Sequence, residues 1–439
     1  MPAVAHEEQP VVELSKPALR TMHLRYFSLV TIPKHDTTAK FLSASDAMNV
    51  DHEAHSFPGA ALLLFARAGR TIDQYRTIMF ALHGRHTQNT SVGAAFELQS
   101  VSFQHAAAAA AAPGVDGTVV VNSPTVSHNF GAVYIGSSAA SREGGVILGV
   151  GGQHVRSQQC LGPCHKYRLM ERFRGWSASH RMGVRLLRGT SLRRIASGAW
   201  FVAGPRDDVG AVPLLVSGRH PGCVERRAEF NGVCNYDGRA SLVRFRSRYL
   251  LYVRANTRRD GGGRHVQVAA SRADDARGPY GPFALLTIRG YDHARGVGNI
   301  YTASVCVSPF DDGMLLGLFA VNYGNASEAR RRAAAGEAAR AGNTDGRASI
   351  ALALSCDGVA WSAPAEVAPT VGRDGRTYDQ PVDGLLTLDG RVSVLIHRDV
   401  PEISPHAQMR SRLVRRQLNV PVFRRLASAA RRRLPGCDV

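Results

Sequence analysis

The chain is short of lysine. Four lysines (Lys16, Lys34, Lys40, Lys166) stand against fifty arginines in 439 residues. The formal charge is +19, yet so strong a bias towards one basic residue is the mark of a GC-rich coding sequence, which also favours Ala and Gly. The arginines are scattered at one or two per strand-like run. A nucleic-acid binder gathers its cations on one face, so the composition argues against such a partner. Long apolar runs are also missing. The longer ones, such as Gly59 to Ala66, fall far short of the ~20 residues that cross a bilayer. The first residues carry Glu7 and Glu8 and no apolar stretch, so no secretory signal is recognised and a cytoplasmic protein is the default. Disorder is excluded by the 44% apolar content, which is enough for a sizeable core.

Familiar catalytic and cofactor signatures are absent. There is no Ser nucleophile elbow and no His-Glu-x-x-His. Gly149-Val-Gly151-Gly152 is glycine-rich but ends a strand with no helix after it, so it is a turn and no nucleotide cofactor is expected. The seven cysteines are irregularly spaced. Cys160-x3-Cys164-His165 opens like a zinc site, but no second pair stands at ligand spacing, and no metal is expected. The cysteines read as separate thiols, with Cys223 and Cys234 able to pair only in an oxidising compartment.

Helical periodicity is scarce, and the dominant signal is short apolar runs split by Gly, Asp and Ser turns. Four hairpins stand out: Ala132–Ile135 with Val146–Val150, Ala240–Phe245 with Tyr249–Val253, Ala303–Val307 with Met314–Ala320, and Leu385–Leu388 with Val392–Ile396. Three are followed by another strand: Val184–Leu187, Val266–Ala270 and Ile350–Leu354. Two of these end alike, in Ser271 to Phe283 with Gly278-Pro279-Tyr280, and in Ser355-Cys-Asp357-Gly358-Val-Ala-Trp361. Ser or Asp caps the turn, Gly supplies positive φ, and the aromatic pins the loop to the sheet. A hairpin, a third strand and an outer strand make one blade, and repeated blades make a propeller.

His23–Ile32, Ala60–Ala66 and Thr77–Leu82 supply another blade, and Arg412–Leu418 a closing strand. The expectation is an all-β, five-bladed propeller, with a sixth blade if residues 150–215 hold one. Two unrelated β-sandwich domains are the competing architecture. Residues 1–20 read as a polar arm, 21–420 as the propeller and 421–439 as a basic tail. Ala106–Ala112 is a low-complexity insertion, and 324–346 an inserted short helix capped by Asn325 or Ser327. Pro421 to Leu434 reads as a second helix, with Phe423, Leu426, Ala427, Ala430 and Leu434 on one stripe and arginines elsewhere. A basic amphipathic helix can lie on an anionic membrane; docking on the propeller is the alternative.

The blade ending Ser271 to Phe283 and the stretch Asp237 to Tyr252 resemble the five-bladed glycoside hydrolases, the arabinanase, β-xylosidase and invertase group. Ser355 to Trp361 is similar to a shortened sialidase Asp-box, a structural turn that speaks for the fold and not for the chemistry. The resemblance spans roughly residues 126–400 and implies a monomeric enzyme acting on a carbohydrate or glycan, with carboxylates at the openings of the inner strands.

Glycosidic cleavage needs one carboxyl group to protonate the leaving oxygen and another to attack or to activate water. Asp237 opens a good inner strand, Glu229 lies eight residues upstream as candidate acid, and Asp36 follows the first strand as candidate base or nucleophile, with Asp46 and Asp51 as rivals. Asp383, with Asp379 as rival, opens the last repeat, and His128, Asn129, Asn299 and Tyr301 stand at other openings as substrate contacts. Tyr323 and Trp176 are further stacking candidates, and His397 reads as a strand-end or loop residue. The chain departs from the group's pattern: it has no Asn-Asp-Pro-Asn-Gly, no Arg-Asp-Pro and no Glu-Gly-Pro. A non-catalytic propeller that binds glycan or protein is therefore the alternative.

Overall fold

A computed structural model describes residues 9–13, 24–33, 60–68, 76–85, 95–100, 118–121, 129–135, 146–153, 183–189, 201–202, 214–226, 232–236, 238–257, 263–291, 299–322, 348–370, 377–388, 391–401 and 412–437. These residues are almost entirely strand. One nine-stranded sheet holds β1 (Gln9–Glu13), β24 (Arg412–Gln417), β23 (Arg391–Pro401), β22 (Thr377–Leu388), β2 (Arg25–Pro33), β3 (Ala60–Ala68), β4 (Arg76–Arg85) and β5 (Ala95–Ser100) in that order, with β6 (Thr118–Val121) also on β4. Its two halves are joined by a single parallel pair, Ser28 opposite Asp383. A second sheet orders β10 (Phe201–Val202), β9 (Gly183–Gly189), β8 (Val146–Gln153) and β7 (Gly131–Ile135), with β11 (Leu214–Ser217) on β9.

The third sheet is β12 (Ser241–Phe245), β13 (Arg248–Asn256), β14 (Arg264–Ala270) and β15 (Ala284–Leu285). The fourth is β17 (Asn299–Ser308), β18 (Asp311–Asn322), β19 (Ala348–Ser355) and β21 (Ala365–Thr370). A short parallel pair, β16 (Thr287–Ile288) with β20 (Ala360–Trp361), ties these two together.

The first strands of these units touch in a closed ring: β2 against β7, β7 against β12, β12 against β17, β17 against β22, and β22 back against β2. The arrangement is propeller-like. By hydrogen bonding it comprises four large sheets, one of double length, so the expected five separate blades are not what the sheet count returns.

The core lies between neighbouring sheets, and strand alternation explains how. On β18, Met314, Leu316, Leu318 and Ala320 pack towards β19, β23 and β24, while Leu315, Phe319 and Val321 pack towards the third sheet. On β13, Leu250 and Tyr252 face the fourth sheet and Tyr249, Leu251 and Val253 face the second. A strand covered on both faces is apolar at every position, which is why these runs are continuous in the sequence. Each fully buried leucine contributes about 1.5–3 kcal/mol relative to exposure.

Both turn endings close as their side chains dictate. Asp357 Oδ1 accepts from the amides of Val359 and Ala360, Ser355 Oγ accepts from the Gly358 amide at 2.8 Å, and Trp361 Nε1 donates to the Gly358 carbonyl. Trp361 is 1% exposed between Tyr252 and Phe319. In the other ending Ser271 Oγ accepts from the Tyr249 amide, and Tyr280 donates to the Ala276 carbonyl.

The ends of the chain are built into the sheets. The polar arm contributes β1, which pairs antiparallel with β24. Residues Val420–Arg431 form helix α1, ending three residues short of the expected Leu434, with Asn419 accepting from the Val422 amide and Pro421 in the first turn. Its apolar stripe is covered: Val422, Phe423, Ala430 and Leu434 are buried on the fourth sheet, with Leu426 and Ala427 partly so. A docked stripe is not available to enter a membrane; the exposed arginines Arg424, Arg425, Arg431, Arg432 and Arg433 face outwards, Arg431 paired with Asp311. The expectation of separate thiols is overturned: Cys223 pairs with Cys234, and Cys356 of the Asp-box-like turn pairs with Cys437 just beyond α1. The expected helix at 324–346 and the alanine run lie outside the described residues.

Candidate functional site

Because the five ring strands run side by side, their openings meet at one end of the axis. Three of them lose register there: β2 between Arg25 and Ser28, β17 between Ile300 and Ala303, and β22 between Pro381 and Leu385. A bulge breaks the alternation and re-aims a side chain. Tyr26, inside the first bulge, has φ 55, a left-handed conformation that a bulky residue adopts only where its surroundings hold it. Its hydroxyl meets the hydroxyl of Tyr301, inside the second bulge, at 3.2 Å. Gln380 on β22 accepts from the Tyr26 amide at 3.3 Å.

Arginines surround this tyrosine pair. The guanidinium of Arg67 lies 4.7 Å from the Tyr26 ring centre, that of Arg254 4.7 Å from the Tyr301 ring and that of Arg264 5.5 Å from it. Arg254 also donates to the Tyr301 carbonyl at 2.8 Å. Burial pushes the Tyr301 phenol up, but Arg254, Arg25 and Arg264, with a hydrogen bond from Tyr26, outweigh it and bring the pKa down to about 8. A small cavity opens here, lined by Gly238, Arg239, Arg254, His265, Tyr301 and Thr302 among others. Gly238 has φ 152, and a Cβ there would stand 2.8 Å from Arg254 Nε, so glycine is what lets the chain pass this guanidinium.

One step deeper, a second layer closes the axis. Asp383 on β22 is 5% exposed and accepts from Ser241 Oγ at 3.0 Å and Ser304 Oγ at 2.8 Å. Arg239, 3% exposed, donates to the carbonyls of Phe27, Pro381 and Ala303 at 3.1, 2.6 and 2.8 Å. Burial raises the Asp383 pKa and lowers that of Arg239, and each charge opposes the shift of the other. Gly131 of β7 completes the layer: a Cβ there would meet the Ala240 carbonyl at 2.3 Å. Four ring strands and the segment leading into β12 are thus cross-linked through one Arg–Asp pair.

Of the residues predicted from sequence, Asp36, Asp237, Glu229, His128, Tyr323 and Trp176 lie outside the described residues, as do the rivals Asp46 and Asp51. Gly238, which follows Asp237, lines the cavity, and Tyr236, which precedes it, has φ 50. Tyr301 stands in the cavity wall. Asp383 is at the axis but in the closed layer, held by protein groups. Asn129 is fully buried and donates to the Tyr236 carbonyl at 2.9 Å, with its Oδ1 unpartnered. Asn299 accepts from the Arg264 amide at 2.8 Å and so steadies the start of β14. Asp379 is 6% exposed and ion-paired to Arg398 at 3.1 Å.

His397 corrects the sequence reading. It lies within β23, fully buried edge-on to Phe27, and burial with the Arg25 charge lowers its pKa to about 3. Sequence reasoning missed Arg239, Arg254, Arg264, Arg67 and Tyr26, and the buried Glu225 that accepts from Asn256 at 2.8 Å. The signal was there for some of them. Arg254 interrupts the apolar run Tyr249–Ala255, where a charge at a two-face-covered position demands a reason.

No protein family matches this chain, and no curated protein does. Solved structures do. The α-L-arabinofuranosidase of Podospora anserina, in complex with cellotriose, is 8% identical with a TM-score of 0.46, over 95% of this chain and 98% of that one. The GH43 enzyme of Xanthomonas citri, complexed with xylose, is 11% identical with a TM-score of 0.41, over 87% and 93%. The endo-arabinase of Bacteroides thetaiotaomicron is 11% identical with a TM-score of 0.38, over 81% and 89%. These are glycoside hydrolases, and at such identities no residue role carries over to this chain.

Proposed function

We propose that the protein is a carbohydrate-acting enzyme of glycosidase type, on a propeller counted as five blades with its site at the ring-strand openings. The blade count treats the nine-stranded sheet as two blades, which the single pair between Ser28 and Asp383 and the closed ring of five strands support. The observation that carries the function is a small polar cavity at the axis, walled by the segment leading into β12 and by β13, β14 and the bulged β17. Arg239, Arg254, His265, Tyr301 and Thr302 bring hydrogen-bonding and stacking groups to its wall, the kind of lining that reads hydroxyl groups.

In this reading Asp237, whose neighbour Gly238 lines the cavity, Glu229 and Asp36 supply the acid and base chemistry. Asp383 is a positioning residue that fixes Arg239, Tyr301 contacts the sugar, and Asn129, fully buried, holds the Tyr236 carbonyl next to the cavity segment. The two disulfides favour an oxidising compartment over the cytoplasmic default. One observation favours the non-catalytic alternative: Asp383 and Asp379, the described carboxylates at the ring strands, are both engaged by protein partners.

Aryl furanosides and xylosides test the reading, with Asp237→Asn and Glu229→Gln as controls. Hydrolysis that falls by about 10²–10⁴-fold in either variant supports it. Sugar binding without turnover by the unaltered protein leaves the binding module.

A further inference from the structure

Helix α1 carries its charge in a pattern that its docking on the sheet does not use. From Arg412 to Cys437 the chain has eight arginines and no acidic residue. Codon bias accounts for arginine in place of lysine, but not for the lack of carboxylates among them. Arg424 and Arg425 stand on the second turn of α1, and Arg432 and Arg433 at its end, about 12 Å further along the axis. All four are exposed, and among the described residues their side chains have no ion pair or hydrogen bond. Their neighbours three and four positions away within the helix are Val420 to Val422 and Ala427 to Ala430, so no helical partner compensates them. Arg431 differs: it is paired with Asp311 of the β17–β18 turn at 2.5 Å. Between the two arginine pairs lie Ser428, exposed, and Ala429, half-buried, both small. The strip therefore runs cation, hydroxyl, cation, with nothing bulky in the middle.

The strip is also fixed in place. Its apolar underside is buried on the fourth sheet, and the Arg431–Asp311 pair and the Cys356–Cys437 disulfide hold its end. A fixed row loses little freedom when a partner binds. The same observations separate the anionic partners. A membrane holds an amphipathic helix through apolar area as well as charge, and here that area is already covered. The two disulfides favour an oxidising compartment, away from nucleic acid. A polysaccharide that carries carboxylate or sulfate groups on a hydroxylated chain matches the alternation, and the planar guanidinium fork suits either group.

We propose that the outward face of α1 is a docking surface for an acidic polysaccharide, with Arg424, Arg425, Arg432 and Arg433 holding its anionic groups and Ser428 a hydroxyl between them. The inference is independent of the axial cavity and stands whether or not that cavity serves hydrolysis.

The test measures the affinity of the full chain for polygalacturonate and for dextran sulfate at low salt. Neutral dextran, vesicles of phosphatidylserine with phosphatidylcholine, and duplex DNA are run beside them. At least one acidic polysaccharide should bind more tightly than the vesicles and the DNA, and neutral dextran should not bind. Changing Arg424, Arg425, Arg432 and Arg433 together to Gln should weaken that binding by about tenfold or more. A control with the same loss of charge, Arg219, Arg226, Arg272 and Arg289 to Gln at exposed positions elsewhere, should stay within about twofold of the unaltered protein. Unchanged melting temperatures show that both variants fold. Ser428→Gln keeps every charge and fills the strip, and should weaken binding about threefold, the worth of one hydrogen bond. Binding to polygalacturonate names the carboxylate as the recognised group, and binding to dextran sulfate names the sulfate; either supports the proposal. Equal losses in the two fourfold variants would mean attraction by net charge alone and overturn it. Tighter binding to vesicles or DNA, no binding to either polysaccharide, or no effect of Ser428→Gln also overturns it. Loss of glycoside hydrolysis in the axial variants has no bearing on this result, so the two readings fail separately.

Discussion

The interface around β18 and the axial layer around Asp383 are both almost fully buried, yet they are held together by opposite means. Around β18, Leu315, Leu316, Leu318, Phe319 and the rings of Trp361 pack in apolar clusters on both faces of the strand. At the axis, serines, a carboxylate and a guanidinium replace the leucines, because ring strands approach one another too closely for large side chains and leave carbonyls that need donors. Gly131 stands against the Ala240 carbonyl, and Arg239 gathers three others. The first kind of packing stabilises broadly and tolerates adjustment. The second depends on each partner being present, since a buried charge without its counter-charge costs several kcal/mol.

Four experiments break or sharpen that contrast, in falling order of expected effect. Trp361→Ala removes the aromatic between Tyr252 and Phe319 and should lower unfolding free energy by about 3–5 kcal/mol in a denaturant titration. Asp383→Ala should cost about 3 kcal/mol or more by leaving the Arg239 charge buried, and the double change with Arg239→Leu should cost less than the single one. Additive losses would show that the two residues do not act as a pair.

The third experiment is acidification. His397 has a folded pKa of about 3, below its unfolded value near 6.5. Between these values the unfolded chain binds the proton and the folded one does not, so stability is intact above about pH 6.5 and falls as the pH drops towards 3. The loss should be roughly 2–3 kcal/mol over the first two pH units. His397→Leu should flatten that part of the pH–stability curve; an unchanged slope would place the titration elsewhere. The fourth and smallest effect is at the surface: Asn419→Ala, which removes the cap of α1, should cost about 1 kcal/mol, read as a small drop in melting temperature.

Much of the fold was legible because its physics is local. The hairpins recur as β7–β8, β12–β13, β17–β18 and β22–β23, since a polar turn between apolar runs specifies a hairpin without outside help. The turns ending in Tyr280 and Trp361 needed only their own residues. The site was less legible. Arginine was discounted as compositional, and nothing in a spacing pattern separates an exposed arginine such as Arg244 from one buried at 3% such as Arg239. Asp383 is expected at a strand opening, but it lies in the middle of β22, in the closed layer at the axis.

The division between the two sources of information is therefore physical. Alternation, turn chemistry and helix caps act over a few residues, and the amino-acid sequence by itself determined the strands, the hairpins, the capped helix and the propeller-like class. The pairing of Cys356 with Cys437 spans 81 residues, and Ser241 and Asp383, whose side chains share a hydrogen bond, are 142 residues apart. Which arginines lose their water, which phenol turns acidic and which carboxylate is sealed at the axis depend on strands brought together from the whole chain. Only the tertiary structure decided those, because desolvation and charge pairing depend on distance in space.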